Sequence, residues 1–232
     1  MKVVKYNSSS NITVEFENGY TRNTTWQNFM IGSPTSPFDK TIHGVGYLGS
    51  LTNDGLPYSK CKIYTTWHGM MTRCYGSVKS KRDYVYDDCI VDNEWHNFQN
   101  FKEWYLKNYY QVNDEKMNLD KDILFKGNKV YSPNTCIFVP REINTLFIQS
   151  NRIRGKYPVG VYFKKDSNKF KAQCKRRNEV IHLGYFDTAE DGFYAYKEYK
   201  EKYIKEVADN YKNEIPNKLY EAMYNYQIEI TD

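Results

Sequence analysis

Asp120, Lys121 and Asp122 sit together in the run Asn118-Leu-Asp120-Lys-Asp122-Ile, and a polar turn at Gly127-Asn-Lys and an amide side chain at Asn144 follow. Carboxylate and amide oxygens are the donors a hard divalent cation takes, Mg2+ first where substrate phosphate completes the shell, or Mn2+ in its place. A block of positive charge comes next: Arg152, Arg154, Lys156, Lys164, Lys165, Lys169, Lys171, Lys175, Arg176 and Arg177 are opposed within that span only by Asp166. Such a surface attracts a polyanion. The pairing points to metal-assisted chemistry on a nucleic acid. The same residues have plainer uses. Paired acids beside Lys121, Lys126 and Lys129 can be surface ion pairs at a hairpin, Asn144 can be a cap, and a basic sheet can be merely solvated.

The elements that must position these residues are readable from periodicity. Ile12-Thr-Val-Glu-Phe16 alternates apolar with polar residues and Glu17-Asn-Gly19 supplies a turn, so residues near 10–36 predict a small β unit. Gly44-Val-Gly-Tyr-Leu-Gly49 has dinucleotide-loop spacing without a framing strand and helix, and reads as turns. Trp67, Met70, Met71 and Cys74, then Trp95, Phe98, Phe101, Trp104 and Tyr105, recur at helical spacing and predict two core-facing helices. His68 and His96 fall inside these segments and read as structural or surface imidazoles. Val159-Gly-Val-Tyr-Phe163, Lys169-Phe-Lys-Ala-Gln-Cys174 and Val180-Ile-His-Leu-Gly184 predict a meander. Thr188-Ala-Glu-Asp191 caps a helix to about Asn210 that backs it.

Composition sets outer limits. A chain of 232 residues, 40% hydrophobic and 26% charged, can bury a core but exceeds the usual single domain, so two or three small units are expected. A mean hydropathy of −0.80 with no long apolar run excludes a membrane helix. Met1-Lys-Val-Val-Lys-Tyr-Asn-Ser lacks the apolar core of a signal peptide, so a soluble cytoplasmic protein is expected. Five cysteines without ligand-pair spacing read as reduced, buried small hydrophobes and not as a disulfide framework or a structural Zn2+ site.

Two resemblances rest on these residues. Gly160-Val161, Lys169-Phe170-x-Ala172, Leu183-Gly184-Tyr-Phe186-Asp187-Thr188-Ala189-Glu190-Asp191 and Ala195-Tyr196 resemble an APETALA/ethylene-response-factor-type DNA-binding domain. That family lays a three-stranded sheet in the DNA major groove. Carried over by position, Arg154, Tyr162, Lys164, Lys169, Lys171, Gln173, Lys175 and Arg177 become the contacts, with Arg152, Lys156 and Arg176 of the same block. Alternation puts Lys169, Lys171, Gln173 and Lys175 on one strand face, and Phe170, Ala172 and Cys174 on the other.

Trp67-x-x-Met70-x-x-Arg73-Cys74-Tyr75, Val91-x-x-Glu94-Trp95-x-x-Phe98-x-x-Phe101-x-x-Trp104, Leu119-Asp120-Lys-Asp122 and Tyr131-Ser-Pro133-x-x-Cys136-x-Phe138 resemble phage-encoded HNH (ββα-metal) homing endonucleases, which often end in an APETALA-type domain. In that family a strand end supplies a metal-binding carboxylate and a histidine base, and a following helix supplies a second ligand. The resemblance implies that Asp120 is the carboxylate and Asn144 the helix ligand, with Asp122 on the same strand face helping to hold the ion. The chain departs from the pattern at two places. Lys121 stands at the histidine position, and lysine, with an ordinary pKa of about 10.4, is a poor base unless strongly desolvated. Thr135 stands where an asparagine is expected, although Asn128 or Asn134 could serve, and Asp122 could act as base.

These readings predict an α+β protein. A small β unit covers 1–60, a helical region leads into an HNH-like ββα element over 61–150, a three-stranded antiparallel sheet packs on one helix over 151–213, and an extension covers 214–232. The implied activity is divalent-metal-dependent hydrolysis of double-stranded DNA in a bacterial host cell. The alternatives are a non-catalytic DNA-binding regulator or anti-defence factor of a phage, and an inhibitor that binds a host protein.

Overall fold

The computed structural model describes residues 1–50, 58–77, 86–147 and 156–232, and the fold is α+β. The chain divides into two compact units, Met1–Tyr109 with Lys129–Asn134, and Tyr110–Asn128 with Thr135–Asp232. Among the described residues no helix is long and apolar enough to cross a membrane.

The first unit begins with an antiparallel sheet of β1 (Lys2–Ser8), β2 (Asn11–Glu15) and β3 (Thr21–Thr24), in that order. The alternation in β2 has a plain result: Ile12 and Val14 are buried while their neighbours are not. Helix α1 (Trp26–Met30) follows, its Thr25 side chain accepting a hydrogen bond from the Asn28 N–H. Helices α2 (Lys62–Tyr75) and α3 (Phe98–Asn108) carry the predicted stripes. Trp67, Met70, Met71, Cys74, Phe98, Phe101 and Tyr105 are buried, and the Trp67 indole donates to the Trp95 carbonyl at 2.7 Å. Trp104 is half-buried, and its indole donates to the Pro133 carbonyl. The 44–49 segment is a turn region whose Tyr47 bridges to Asn97. His96 Nε2 bonds the Val91 carbonyl and His68 Nδ1 lies 3.3 Å from the Thr72 hydroxyl, so both imidazoles are structurally bonded. Strand β4 (Ile90–Val91) pairs in parallel with β6 (Val130–Tyr131), which brings the 129–134 segment into this unit.

The second unit holds the ββα element. β5 (Met117–Asp120) and β7 (Ile137–Pro140) pair antiparallel, with Asp120 opposite Ile137, and α4 (Arg141–Leu146) continues directly from β7. After it come β8 (Val161–Lys164), β9 (Lys169–Arg176) and β10 (Glu179–Phe186), an antiparallel sheet of order β10-β9-β8. Both hairpin turns use the left-handed region, with Asn168 at φ 53° and Arg177 at φ 52°. Helix α5 (Ala189–Asn210) is capped by the Thr188 hydroxyl, which accepts from the Asp191 N–H. Its Phe193, Tyr203, Ile204 and Val207 are buried, as are Val161, Ala172 and Cys174 of the sheet. Burial of each large apolar side chain contributes about 1.5–3 kcal/mol, so this layer holds the module together. Helix α6 (Asn217–Tyr224) and the chain end complete the unit. The Lys126 ammonium bonds Asp232 Oδ2 at 2.6 Å and the Gln227 carbonyl at 2.9 Å.

Candidate nucleic-acid interface and the Asp120 turn

Helix α5 covers one face of the C-terminal sheet and leaves the other open. Strand alternation sorts β9 accordingly: Ala172 and Cys174 are buried beneath, while Lys169 and Lys175 are exposed and Lys171 and Gln173 half-buried above. Across the strands Tyr162, Lys171 and Tyr185 stand directly opposite one another. Gln173 faces His182, Lys175 faces Val180, and Lys164 faces Lys169. The Tyr162 hydroxyl donates to Gln173 Oε1 at 3.0 Å, and the Lys171 ammonium lies 5.5 Å from the Tyr162 ring centre. Lys169 makes an ion pair with Asp187 in which both side chains are well exposed. Such a pair is worth at most about 1 kcal/mol and exchanges readily for a phosphate. Lys156, also exposed, lies over the Tyr157 ring.

Not every cation of the basic block reaches this face. Arg176 falls on the helix side by alternation, where it pairs with Glu206 of α5 and stacks over Tyr203 at 5.1 Å. Arg177, in the β9–β10 turn, donates through Nε to Glu142 Oε1 at 2.9 Å. Sequence alone groups both with the DNA contacts; in the fold each is ion-paired, with the Arg177 side chain still 70% exposed. Arg152 and Arg154 lie outside the described residues. In the other direction, His182 and Tyr185 belong to the open face, and neither is among the contacts named from sequence. A glycine inside a strand pattern is the signal that points to them, because it marks a bulge that shifts the alternation.

The Asp120 turn closes the end of β5. Strand geometry stops at Asp120, whose Oδ1 accepts from the backbone N–H of Asp122 at 2.9 Å and of Ile123 at 2.8 Å. Asp122 therefore lies in a turn and does not share a strand face with Asp120, because an aspartate that captures the amides two and three residues on bends the chain out of the extended form. Burial, and then the neighbouring Asp122 carboxylate, push the Asp120 carboxyl up to about 6, against the lowering effect of those two amides.

Lys121 is only 6% exposed. Its ammonium bonds Asp122 Oδ2 at 2.9 Å and the Asn128 carbonyl at 3.1 Å, while the Asn128 amide returns a bond to the Lys121 carbonyl at 2.7 Å. Both partners are acceptors, so the ammonium donates to a carboxylate and to a carbonyl within the loop. It closes the 121–128 loop and steadies Asp122. Asn128, which stood among the substitutes for the missing asparagine, is occupied in this closure. Asn134 is exposed, and both it and half-buried Thr135 lie in the turn before β7.

Asn144 sits half-buried on α4, which packs against β5 and β7. Two residues earlier on α4, Glu142 shares the Tyr211 hydroxyl with Glu115, so the C-terminal end of α5 is tied to the ββα element. Burial and these two carboxylates raise the Tyr211 hydroxyl pKa. Among the described residues no three His, Cys, Asp or Glu side chains group as metal ligands. A hard cation here would draw on the Asp120 carboxylate, with the Asn144 amide as the helix donor. The mutual repulsion of Asp120 and Asp122 suits that ligand chemically, since a divalent cation relieves it more fully than one ammonium does.

No family model matches the chain, and no curated protein or solved structure matches it.

Proposed function

We propose that the chain binds double-stranded DNA through the open face of the β8–β10 sheet and hydrolyses a phosphodiester at the Asp120 turn with Mg2+ or Mn2+. The observation that carries the binding half is the segregation of Lys169, Lys171, Gln173 and Lys175 on a face that α5 leaves uncovered. The hydrolytic half is supported by the β5–β7–α4 arrangement with a carboxylate at the strand end. Asp120 and Asn144 would hold the cation, which supplies charge stabilisation at the phosphate oxygens when bound. Asp122 is the group placed to accept a proton from water, and Lys121 positions it through their 2.9 Å ion pair. This reading implies a phage or mobile-element protein working in the cytoplasm of a bacterial cell.

The same ion pair favours a second reading. An internal ammonium already offsets the Asp122 charge, as expected of a ββα scaffold that keeps DNA binding and has lost cleavage. One experiment separates the two: incubation with plasmid and phage or host DNA in Mg2+, Mn2+ or EDTA, beside Asp120→Ala. Metal-dependent nicking that the variant lacks establishes the enzyme, and retention of DNA without nicking establishes the binder. If about six cations meet phosphates, log Kd should change with log salt at a slope of roughly 5 in magnitude. A slope near zero, with a stable host-protein complex in its place, would defeat both readings.

A further inference from the structure

Strand β10 breaks its own alternation. His182 pairs with Gln173 and Gly184 with Ala172, so Leu183 is an extra residue, and Tyr185 then pairs with Lys171. In a regular strand, residues three apart point to opposite faces. The bulge turns Tyr185 onto the face that His182 already occupies. Gly184 makes this possible, because its φ of 140° is a conformation that side chains rarely adopt. The two rings meet edge to face with centres 4.9 Å apart. Both residues are exposed, Tyr185 at 49%. A lone exposed aromatic is ordinary. Here a backbone irregularity assembles a pair, on the face of this sheet that is lined with lysines and left open by the helix.

We infer that His182 and Tyr185 form a stacking platform for an unpaired nucleobase, so that the sheet prefers DNA with a base out of its stack to intact duplex. This rests on the nucleic-acid reading of the same face and narrows its substrate. Stacking on an aromatic ring needs a free base face, which duplex DNA does not offer, whereas a bubble, flap or single strand does. Neighbouring groups suit that occupant. Lys171 lies between Tyr162 and Tyr185 to meet the backbone phosphate. The Tyr162 hydroxyl engages Gln173 Oε1, which leaves the Gln173 amide N–H groups to donate to acceptors on a base edge.

The test is fluorescence anisotropy at fixed salt with three probes of one length: intact duplex, the same duplex with a short central bubble, and its single strand. The wild-type chain, Tyr185→Ala and Tyr185→Phe are compared. Tyr185 is exposed, so neither substitution should prevent folding, and Tyr185→Phe keeps the ring. The wild type should bind the bubble and single strand about tenfold or more tightly than duplex. Tyr185→Ala should bring that ratio close to one, and Tyr185→Phe should preserve it. A wild-type ratio near one, or a ratio unchanged in Tyr185→Ala, overturns the inference while leaving duplex binding standing. Failure to bind all three probes removes the nucleic-acid reading itself.

Discussion

Asp120 is where the chemistry and the stability of this protein pull against each other. Its Oδ1 is needed as an acceptor for two turn amides, yet its negative charge is enclosed and lies beside Asp122. Burial and that neighbour raise its pKa to about 6, above the roughly 3.9 of an unfolded chain. The native state therefore binds the proton more tightly, and between about pH 4 and pH 6 stability falls as pH rises, by about 2 kcal/mol once partial exposure is allowed for. Asp120→Asn keeps the acceptor oxygen and removes the charge. The variant should be more stable than wild type near pH 7.5 by about that amount and should match it near pH 4. Urea unfolding at both pH values checks this, and an unchanged pH dependence in the variant would show that Asp120 is not the titrating group. The gain should coincide with loss of any metal-dependent nicking, since the enclosed charge that costs stability is the charge a cation requires.

At the scale of elements, the C-terminal module depends on how closely α5 lies against the first sheet strand. Gly160 precedes β8 at φ 78°, and a Cβ there would lie 2.2 Å from Cδ2 of Tyr196 on α5. Its carbonyl accepts from the Gln173 N–H at 2.9 Å, so the backbone cannot easily move aside. Gly160→Ala combines left-handed strain with a steric clash and should destabilise the protein by about 3 kcal/mol or more, seen as a fall in thermal midpoint, with any DNA affinity lost alongside folding. A midpoint within a degree or two of wild type would mean the helix does not press on that turn. Much of this module is legible in the sequence because its signals are local. Lys169-Phe-Lys-Ala-Gln-Cys174 has period two, Thr188 and Asp191 announce the cap, and the stripe of α5 follows. The aromatic helices of the first unit are legible for the same reason. Other features depend on partners distant in the chain. Strand β1 shows almost no buried face and forms only by pairing with β2, through register shifts at Val3/Lys5 and Tyr6/Ser8. Lys121 reads as a surface cation until Asp122 and the Asn128 carbonyl enclose it. The ion pairs of Arg176 with Glu206 and of Arg177 with Glu142 join residues about 30 or more apart in the chain and carry no local signal. The platform of His182 and Tyr185 needs a bulge whose place is fixed by register against β9.

For the molecule as a whole, the path of the chain makes the two units unequal in their independence. The second unit gives up residues 129–134 to the first, so a cut between Tyr109 and Tyr110 costs the two sides different things. The fragment 110–232 would keep β5, β7, α4 and the whole sheet–helix layer, and among the described strand pairings would lose only that of β6, which belongs to the first unit, with β4. The fragment 1–109 would lose β6, the only partner of the short β4 among the described residues, and with it Tyr131. Tyr131 matters because Arg73 is largely enclosed among ring faces, with its guanidinium 5.6 Å from the Tyr131 ring and 5.5 Å from the Tyr86 ring. Its Nε is buried without a hydrogen-bond partner, and burial alone works against its charge, which the two tyrosines support. Removing one of two such contacts from a desolvated cation costs about 1–2 kcal/mol, and the loss of the β4 ladder and the buried Tyr131 ring adds to it. A unit of this size has only a few kcal/mol to spare. The fragment 110–232 should therefore unfold cooperatively on heating and retain any salt-dependent DNA affinity that the full chain has. The fragment 1–109 should show a shallow transition or none, and the fragment extended to 1–134 should recover one. Circular dichroism melts of the three pieces check this, and a cooperative melt of 1–109 equal to that of 1–134 would show that β6 is an ornament and not a member of the first unit.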